Sequence, residues 1–189
     1  MRLRLLGLAA ALALLPATAA AGEIADAGAK AEALAAQGKY LDALDTLSSA
    51  SDAIWQKSPL VFRKALFVAA DPAGYGMFDL RENAIFKQGE PLLVYAEPVG
   101  FGYGKDGALS TINLSLDFEI KNKDGKVLGS QKEFSNASLR SRVQNREFML
   151  KVVYTLNGAP AGDYEVTTTV NDKVSGKSGS FTLPFTIVP

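Results

Sequence analysis

Apolar residues recur at intervals of three and four in the segment that follows residue 22. The positions that share this spacing are Tyr40, Ala43, Leu44, Leu47, Ala50 and Ile54. Such spacing places side chains on one face of an α-helix. Gly38 interrupts the run just before Tyr40, as a residue at a helix C-terminus does. The pattern therefore predicts a helix, a tight turn and a second helix antiparallel to the first.

The segment from residue 59 to 70 supports two interpretations. Ser58 followed by Pro59 is typical of a helix N-terminus, which would make this segment a third helix. Its β-branched and aromatic residues, among them Val61 and Phe67, favour a strand instead. The Pro- and Gly-containing stretch Asp71–Gly76 marks a boundary. We therefore expect a helical unit over residues 22–74 and a second domain over residues 75–189.

Beyond that boundary the apolar period changes from helical to two. In "TINLSLDFEIK" the apolar positions that alternate with polar ones are Ile112, Leu114, Leu116, Phe118 and Ile120. This alternation predicts a strand with one face in the core. Lys123–Gly125 supplies a turn, and similar alternation continues to Ile187. About seven strands with short turns predict an antiparallel β-sandwich.

The first 21 residues have the pattern of a cleaved secretory signal peptide. Arg2 and Arg4 precede an apolar run from Leu5 to Leu15, and small residues follow. The run is about half of the ~20 residues that span a bilayer, so no membrane insertion of the mature chain is expected. The Ala-rich leader is of bacterial type. It predicts a periplasmic protein, with an extracellular location as the alternative.

Charge and composition exclude several kinds of function. Without Arg2 and Arg4 the chain has 18 basic and 20 acidic side chains, which gives no basic surface for nucleic acid. The sequence contains neither His nor Cys. A Ser-His-Asp triad, a Cys nucleophile and an imidazole or thiolate metal site are therefore ruled out. We expect no enzyme, no metal and no cofactor, with only carboxylate-pair or Ser-Lys chemistry left open.

Two local motifs resemble known families. Leu34, Gln37–Tyr40, Ala43, Leu47 and Ala50 lie where a tetratricopeptide-type hairpin has its packing residues, over one repeat of about 34 residues. Gly162–Val166 resembles the tyrosine corner of immunoglobulin-like domains. The combination is similar to uncharacterised exported bacterial proteins. The resemblance implies an α+β fold with an N-terminal helical hairpin or three-helix unit and an immunoglobulin-like β-sandwich of about seven strands.

Two segments are candidates for contact with a ligand or partner. The loop Glu97–Gly107 holds Phe101 and Tyr103 between glycines, and exposed aromatic rings on such a loop stack on a sugar ring or enter a partner's pocket. The alternative is that both rings fold back over the core. A second group is Arg140, Arg142 and Arg146. These residues either bind carboxylates or phosphates of a glycan or lipid, or form a solvated face.

Packing between the two predicted domains is expected to involve Leu47, Ile54 and Trp55, the single tryptophan. A lone helical hairpin cannot bury both of its faces, so we expect docking against the sandwich or a second chain. Four carboxylates are candidates for acid–base chemistry: Glu90, Glu97, Asp117 and Glu119. Asp117 and Glu119 alternate with core residues along one predicted strand. On the outer face of a strand they would stay ionised, which argues against a general acid.

The sequence thus favours a non-catalytic periplasmic binding or assembly module with a protein partner in the cell envelope. The alternative is a carbohydrate-binding or carbohydrate-processing envelope protein that uses the 97–107 loop.

Overall fold

The computed structural model describes residues 22–189, so the predicted signal peptide lies outside the described residues. The chain divides into two compact units, with the boundary between Ala50 and Ser51. The helices are α1 (Glu23–Ala36) and α2 (Tyr40–Lys57). The strands are β1 (Val61–Phe67), β2 (Ile85–Lys87), β3 (Leu92–Val99), β4 (Gly104–Asp106), β5 (Leu109–Asn122), β6 (Val127–Ser141), β7 (Leu150–Tyr154), β8 (Gly162–Asp172) and β9 (Ser178–Val188).

The turn between α1 and α2 is set by Gly38, which has a φ of 75°. The Lys39 amide donates to the Leu34 carbonyl at 3.0 Å and the Gly38 amide donates to the Ala35 carbonyl at 2.9 Å. These two bonds form a Schellman motif, in which a left-handed glycine closes the last helical turn. The predicted helix, turn and second helix are confirmed. Among residues 22–189, no helix is both long and apolar enough to cross a membrane.

The segment after α2 is a strand, so the third-helix interpretation is wrong. β1 pairs antiparallel with β3, from Val61 opposite Val99 to Phe67 opposite Val94. Pairing with β3 gives β1 hydrogen-bond partners along one edge, and Phe67 and Val68 are buried. Phe67 contacts Phe86 and Phe185 from distant parts of the chain, and such long-range packing overrides the local helix-start signal at Ser58 and Pro59. The first strand therefore starts before residue 75, where the second domain was expected to begin.

The strands form two sheets, and the fold is α+β. The smaller sheet has the antiparallel order β1-β3-β7. The larger sheet has the order β2-β9-β8-β5-β4, with β6 also paired to β5. All of its pairs are antiparallel except β2 and β9, which run parallel with Ile85 opposite Thr186. Residues 22–189 form nine strands where about seven were predicted, and β2 and β4 are only three residues long and give no periodic signal.

The core follows the predicted alternation along the strands. Every predicted apolar position of β5 is fully or partly buried, and Ile112, Leu114 and Leu116 are fully buried. Phe67 of the small sheet contacts Phe86 and Phe185 of the large sheet, with ring centroids 5.0 and 6.2 Å apart. Apolar side chains from both sheets therefore fill one core.

Tyr164 begins the buried stripe of β8 with the hydrogen bond of a tyrosine corner. Its hydroxyl donates to the Pro160 carbonyl at 2.7 Å, four residues upstream. Its ring stacks on Phe185 with centroids 5.5 Å apart. The bond ties the β7–β8 connection to the start of β8, which is the role that this motif has in other β-proteins.

Candidate functional site

Phe101 of the 97–107 loop belongs to the core rather than to an exposed loop tip, whereas Tyr103 is only partly buried. Phe101 is 1% exposed and makes an edge-to-face contact with Trp55 at 5.0 Å. The Trp55 indole nitrogen donates to the Phe101 carbonyl at 2.8 Å. Contrary to the ligand-contact prediction, Phe101 has no exposed face for a ligand, because Trp55, Tyr103 and Phe148 surround its ring. Phe101 therefore folds back over the core, as the alternative prediction stated.

Trp55, in the last turns of α2, is 8% exposed and belongs to the same compact unit as the strands. The Arg146 guanidinium lies 5.9 Å from its ring centroid and donates to Ser51 at 2.9 Å and to Asp52. Arg146 is therefore a structural residue of this helix end. Ile54 on the same helix is exposed and takes no part in the contact.

The C-terminus of α2 is held by Lys177, which no sequence pattern singles out. Its ammonium donates to the carbonyls of Gln56, Ser58 and Gly100 at 2.9, 2.8 and 2.8 Å. A cation at this position satisfies carbonyls that have no helical partner and interacts favourably with the helix dipole. Since Lys177 lies 120 residues further along the chain than Lys57, no local sequence pattern could reveal the contact.

Tyr103 and Arg142, which belong to different predicted sites, line one cavity of about 280 Å³. It lies where β4 and the start of β5 meet the chain just after β6. The Tyr103 hydroxyl donates to the Asn145 carbonyl at 3.0 Å, and burial raises the pKa of Tyr103 to about 12. Lys105, Ser110 and Gln144 are also at the lining. The fold therefore brings together residues from two segments that are distant in the sequence.

Arg140 lies two residues before Arg142 and has a different environment. Its guanidinium is paired with Asp106 at 2.5 Å, and both side chains are largely exposed. Its charge is thus neutralised locally, and Arg140 does not line the cavity. Of the three predicted arginines, only Arg142 lines it.

Two of the four candidate carboxylates, Asp117 and Glu119, line one cavity of about 350 Å³ on the large sheet. Asp117 lies on the predicted outer face of β5, beside Glu119 and Thr169, but it is only 7% exposed because residues 132–134 of β6 bulge over it. Glu97 is enclosed by Tyr95 and Tyr75, whose hydroxyls donate to it at 2.9 and 3.4 Å. Each candidate has a cationic partner: Glu90 with Arg81, Glu97 with Lys64, Asp117 with Lys132 and Glu119 with Lys121. Within residues 22–189, no group of three or more acidic side chains could hold a metal ion.

The helical hairpin of residues 22–50 carries a separate apolar groove between α1 and α2. It has a volume of about 410 Å³. Ala31 and Ala43 are buried at the helix contact, whereas Leu44 and Leu47 on the groove are 62% and 48% exposed. Leu41 is 78% exposed. The apolar stripe that predicted the helix therefore remains largely open to solvent.

The large sheet also borders an apolar cavity of about 410 Å³ beside the tyrosine corner. It is lined by Phe118, Ile120, Leu128, Leu156 and Tyr164 among others, and no charged residue contributes to its lining. Its polar side chains are those of Thr155, Asn157 and Tyr164, and the Tyr164 hydroxyl already donates to the Pro160 carbonyl.

Comparison with known proteins shows fold similarity only at a low level. The sequence matches no protein-family model and no curated protein. Among solved structures, a family 123 glycoside hydrolase from Clostridium perfringens, which hydrolyses glycolipid glycans, is similar over 69% of this chain and 27% of its own, at 11% identity and a TM-score of 0.40.

Two further solved structures have comparable scores. The sporulation control protein Spo0M from Bacillus subtilis matches 70% of this chain and 50% of its own, at 12% identity and a TM-score of 0.36. The alkylpurine DNA glycosylase AlkC from Pseudomonas fluorescens, bound to DNA with an abasic site analogue, matches 80% of this chain and 39% of its own. Its identity is 12% and its TM-score 0.37. The chain spans half or less of the length of each of these proteins.

Proposed function

We propose that this protein is a non-catalytic binding module of the bacterial cell envelope that holds a protein partner on its helical hairpin. The observation that carries the proposal is the exposure of Leu41, Leu44 and Leu47 on α2. Large apolar side chains that cluster in the open are typical of interaction surfaces. Helix-in-groove recognition uses such a surface to bind the apolar face of an amphipathic helix.

Charge indicates which kind of helix would bind. Residues 22–50 contain five acidic side chains, Glu23, Asp26, Glu32, Asp42 and Asp45, and two basic ones, Lys30 and Lys39. All five acidic residues are exposed, and Glu32 lies on the groove itself. A partner helix with basic residues beside its apolar stripe would complement both features, and opposite charges would also speed association.

Sequence features support the location and the absence of catalysis in this proposal. The Arg2–Arg4 leader with its short apolar core supports export to the periplasm. The lack of His and Cys and the cation-paired carboxylates argue against the common hydrolytic mechanisms. Asp117 accepts a hydrogen bond from the Glu133 amide, which holds its pKa below the usual range and keeps it from acting as an acid.

We also propose that the strand-bearing unit is an immunoglobulin-like β-sandwich. Its support is the pairing of the first part of the chain with both sheets, β1 in the small sheet and β2 parallel to β9 in the large one. The tyrosine corner at Tyr164 is a second feature of such domains. Immunoglobulin-like domains host many functions, so the fold alone assigns none.

Site-specific photo-crosslinking in cells tests the docking surface. A photoreactive residue at position 44 should give one discrete crosslinked product with another protein, and Leu47→Asp should abolish it. Ser49 provides the control position, because it is exposed on the same helix about 140° around the axis from Leu44. Equal products at both positions would contradict the proposal. A product made of two copies of this chain would show self-association instead of a separate partner.

A further inference from the structure

The cavity beside β4 contains two cationic residues that have no acidic partner. Lys105 and Arg142 both line it, and neither forms an ion pair with any residue of the described chain. None of the nine lining residues is acidic. The nearest acidic residue in sequence, Asp106, is already paired with Arg140. Two uncompensated cations at one small cavity create a positive local potential that attracts an anion.

The neutral residues of the cavity supply hydrogen-bonding groups and an aromatic surface. The Ser110 hydroxyl is buried and has no hydrogen-bond partner among residues 22–189. Such a group costs free energy when it stays unpaired, and in native proteins it often marks a missing water, ion or ligand. Gln144 adds an amide. The Tyr103 hydroxyl is occupied by the Asn145 carbonyl, so its ring is the part left for the cavity.

We propose that this cavity binds an acidic sugar, with Arg142 and Lys105 on its carboxylate or phosphate. Arg is suited to both groups because its guanidinium donates two parallel hydrogen bonds. The volume of about 280 Å³ lies near the lower end for ligand pockets, which suits one sugar unit rather than an extended chain. Ser110 and Gln144 provide partners for sugar hydroxyls, and the Tyr103 ring provides an apolar surface for the sugar ring.

This site goes beyond the protein-docking function because it uses only residues 103–144 of the strand-bearing unit. Its ligand need not involve the helical hairpin. The two proposals can therefore fail separately, since a Leu47→Asp variant should lose its crosslink and keep sugar binding.

An NMR titration of the full chain with three sugars tests the proposal. Glucuronate and glucose 6-phosphate should shift the amide signals of residues 103–110 and 142–144, and glucose at the same concentration should not. Binding of both acids supports recognition of either anionic group, whereas binding of one identifies carboxylate or phosphate as the group recognised. The proposal is overturned if neither acid binds, if glucose binds as well as the acids, or if inorganic phosphate binds as tightly as the sugar phosphate.

Three variants test whether binding depends on the two cations of the cavity or only on the charge of the surrounding surface. Arg142→Gln and Lys105→Gln should each weaken binding about tenfold, since each removes a charge-assisted hydrogen bond. The double variant Asp106→Asn, Arg140→Gln is the matched control, because it removes a neighbouring ion pair without changing the net charge. Equal weakening by the control would contradict the site.

The Ser110→Ala variant distinguishes a role of this hydroxyl in binding from a role in folding. It should weaken binding about threefold or more and leave the melting temperature unchanged or higher, because the removed hydroxyl has no partner in the free protein. A lower melting temperature with unchanged binding would assign Ser110 to the fold alone.

Discussion

Asp117 shows how one carboxylate organises an irregular stretch of sheet. Leu116 is opposite Ser135 and Phe118 is opposite Gln131, so three residues of β6 face the single residue Asp117. Glu133 in this bulge has a φ of 49°, a conformation that costs energy for a residue with a side chain. Asp117 stabilises it by accepting a hydrogen bond from the Glu133 backbone amide at 2.8 Å, and the Asn171 side-chain amide donates to its other oxygen at 3.1 Å. The carboxylate thus acts as a partner for backbone that the ladder cannot satisfy.

The stability of the protein should fall in acid partly because of Asp117. The Glu133 amide, and next the Lys132 and Asn171 side chains, hold the pKa of Asp117 below its usual value in the folded state. A group of this kind stabilises the fold above its unfolded-state pKa of about 3.9. The stabilisation is lost as the pH falls through the lower folded-state pKa. Asp117→Asn should therefore lower the free energy of unfolding by about 1–2 kcal/mol at pH 7 and by less at pH 3. Urea unfolding at both pH values measures this.

Asp124→Asn is the control for that comparison, because Asp124 is an exposed turn residue whose ion pair with Lys123 is also exposed. It should change stability little at either pH. A constant difference between wild type and Asp117→Asn from pH 7 to pH 3 would show that the charge of Asp117 has no role in the bulge.

The C-terminal end of α2 depends on a lysine that is distant in the sequence. Lys177 donates to three carbonyls around this helix terminus. Hydrogen bonds from a charged donor contribute about 1.5–3 kcal/mol each, and three bonds from one ammonium are not additive. The helix end and the Gly100 loop are therefore joined through one side chain.

Lys177→Met should lower the free energy of unfolding by about 2–3 kcal/mol, because it leaves the three carbonyls without this donor. For a chain of this size that corresponds to a melting temperature lower by about 4–10 °C. Lys173→Met is the matched control, since Lys173 makes only an exposed ion pair with Glu133, and should change stability by less than about 1 kcal/mol. Thermal unfolding followed by circular dichroism gives both values, and similar losses in the two variants would be inconsistent with a capping role.

Most individual elements follow from the sequence, but their long-range partners do not. Helical spacing around Leu44 and period-two spacing around Leu114 locate α2 and β5, because each pattern reflects burial of one face. The segment 61–67 was ambiguous because its state depends on pairing with β3. Only part of the cavity beside β4 could be predicted from the sequence. Tyr103 and Arg142 stand out by residue type, whereas Ser110 and Gln144 matter only through their position in the folded chain.

Trp55 and Leu47 have different surroundings along α2. Trp55 is buried against Phe101 in the unit that contains the strands. Leu47, eight residues earlier and predicted to pack between domains, is about half exposed. The helix therefore belongs to the core at its C-terminal end and presents open apolar residues nearer its N-terminus.

Trp55→Ala should therefore destabilise the protein by about 3–5 kcal/mol, the usual cost of deleting a large buried aromatic side chain. Leu47→Asp should change stability by no more than about 0.5 kcal/mol. In the wild type and in Leu47→Asp, Trp55 emission should be blue-shifted and should change in the same transition as the β-sheet circular dichroism signal. A large loss of stability in Leu47→Asp would mean that this leucine is covered in solution.

The two glycines that face the segment after α2 limit where foreign sequence or labels can be placed. A Cβ on Gly100 would come within 2.3 Å of the Pro59 carbonyl oxygen, and a Cβ on Gly179 within 2.1 Å of that of Leu60. Backbone packed this closely leaves no room for a cysteine for fluorophore attachment, an inserted epitope or a new chain terminus made by circular permutation. The turn between β5 and β6 suits such modifications instead at Asp124, whose side chain is exposed, whereas Gly125 beside it has a φ of 77° that a residue with a side chain rarely adopts.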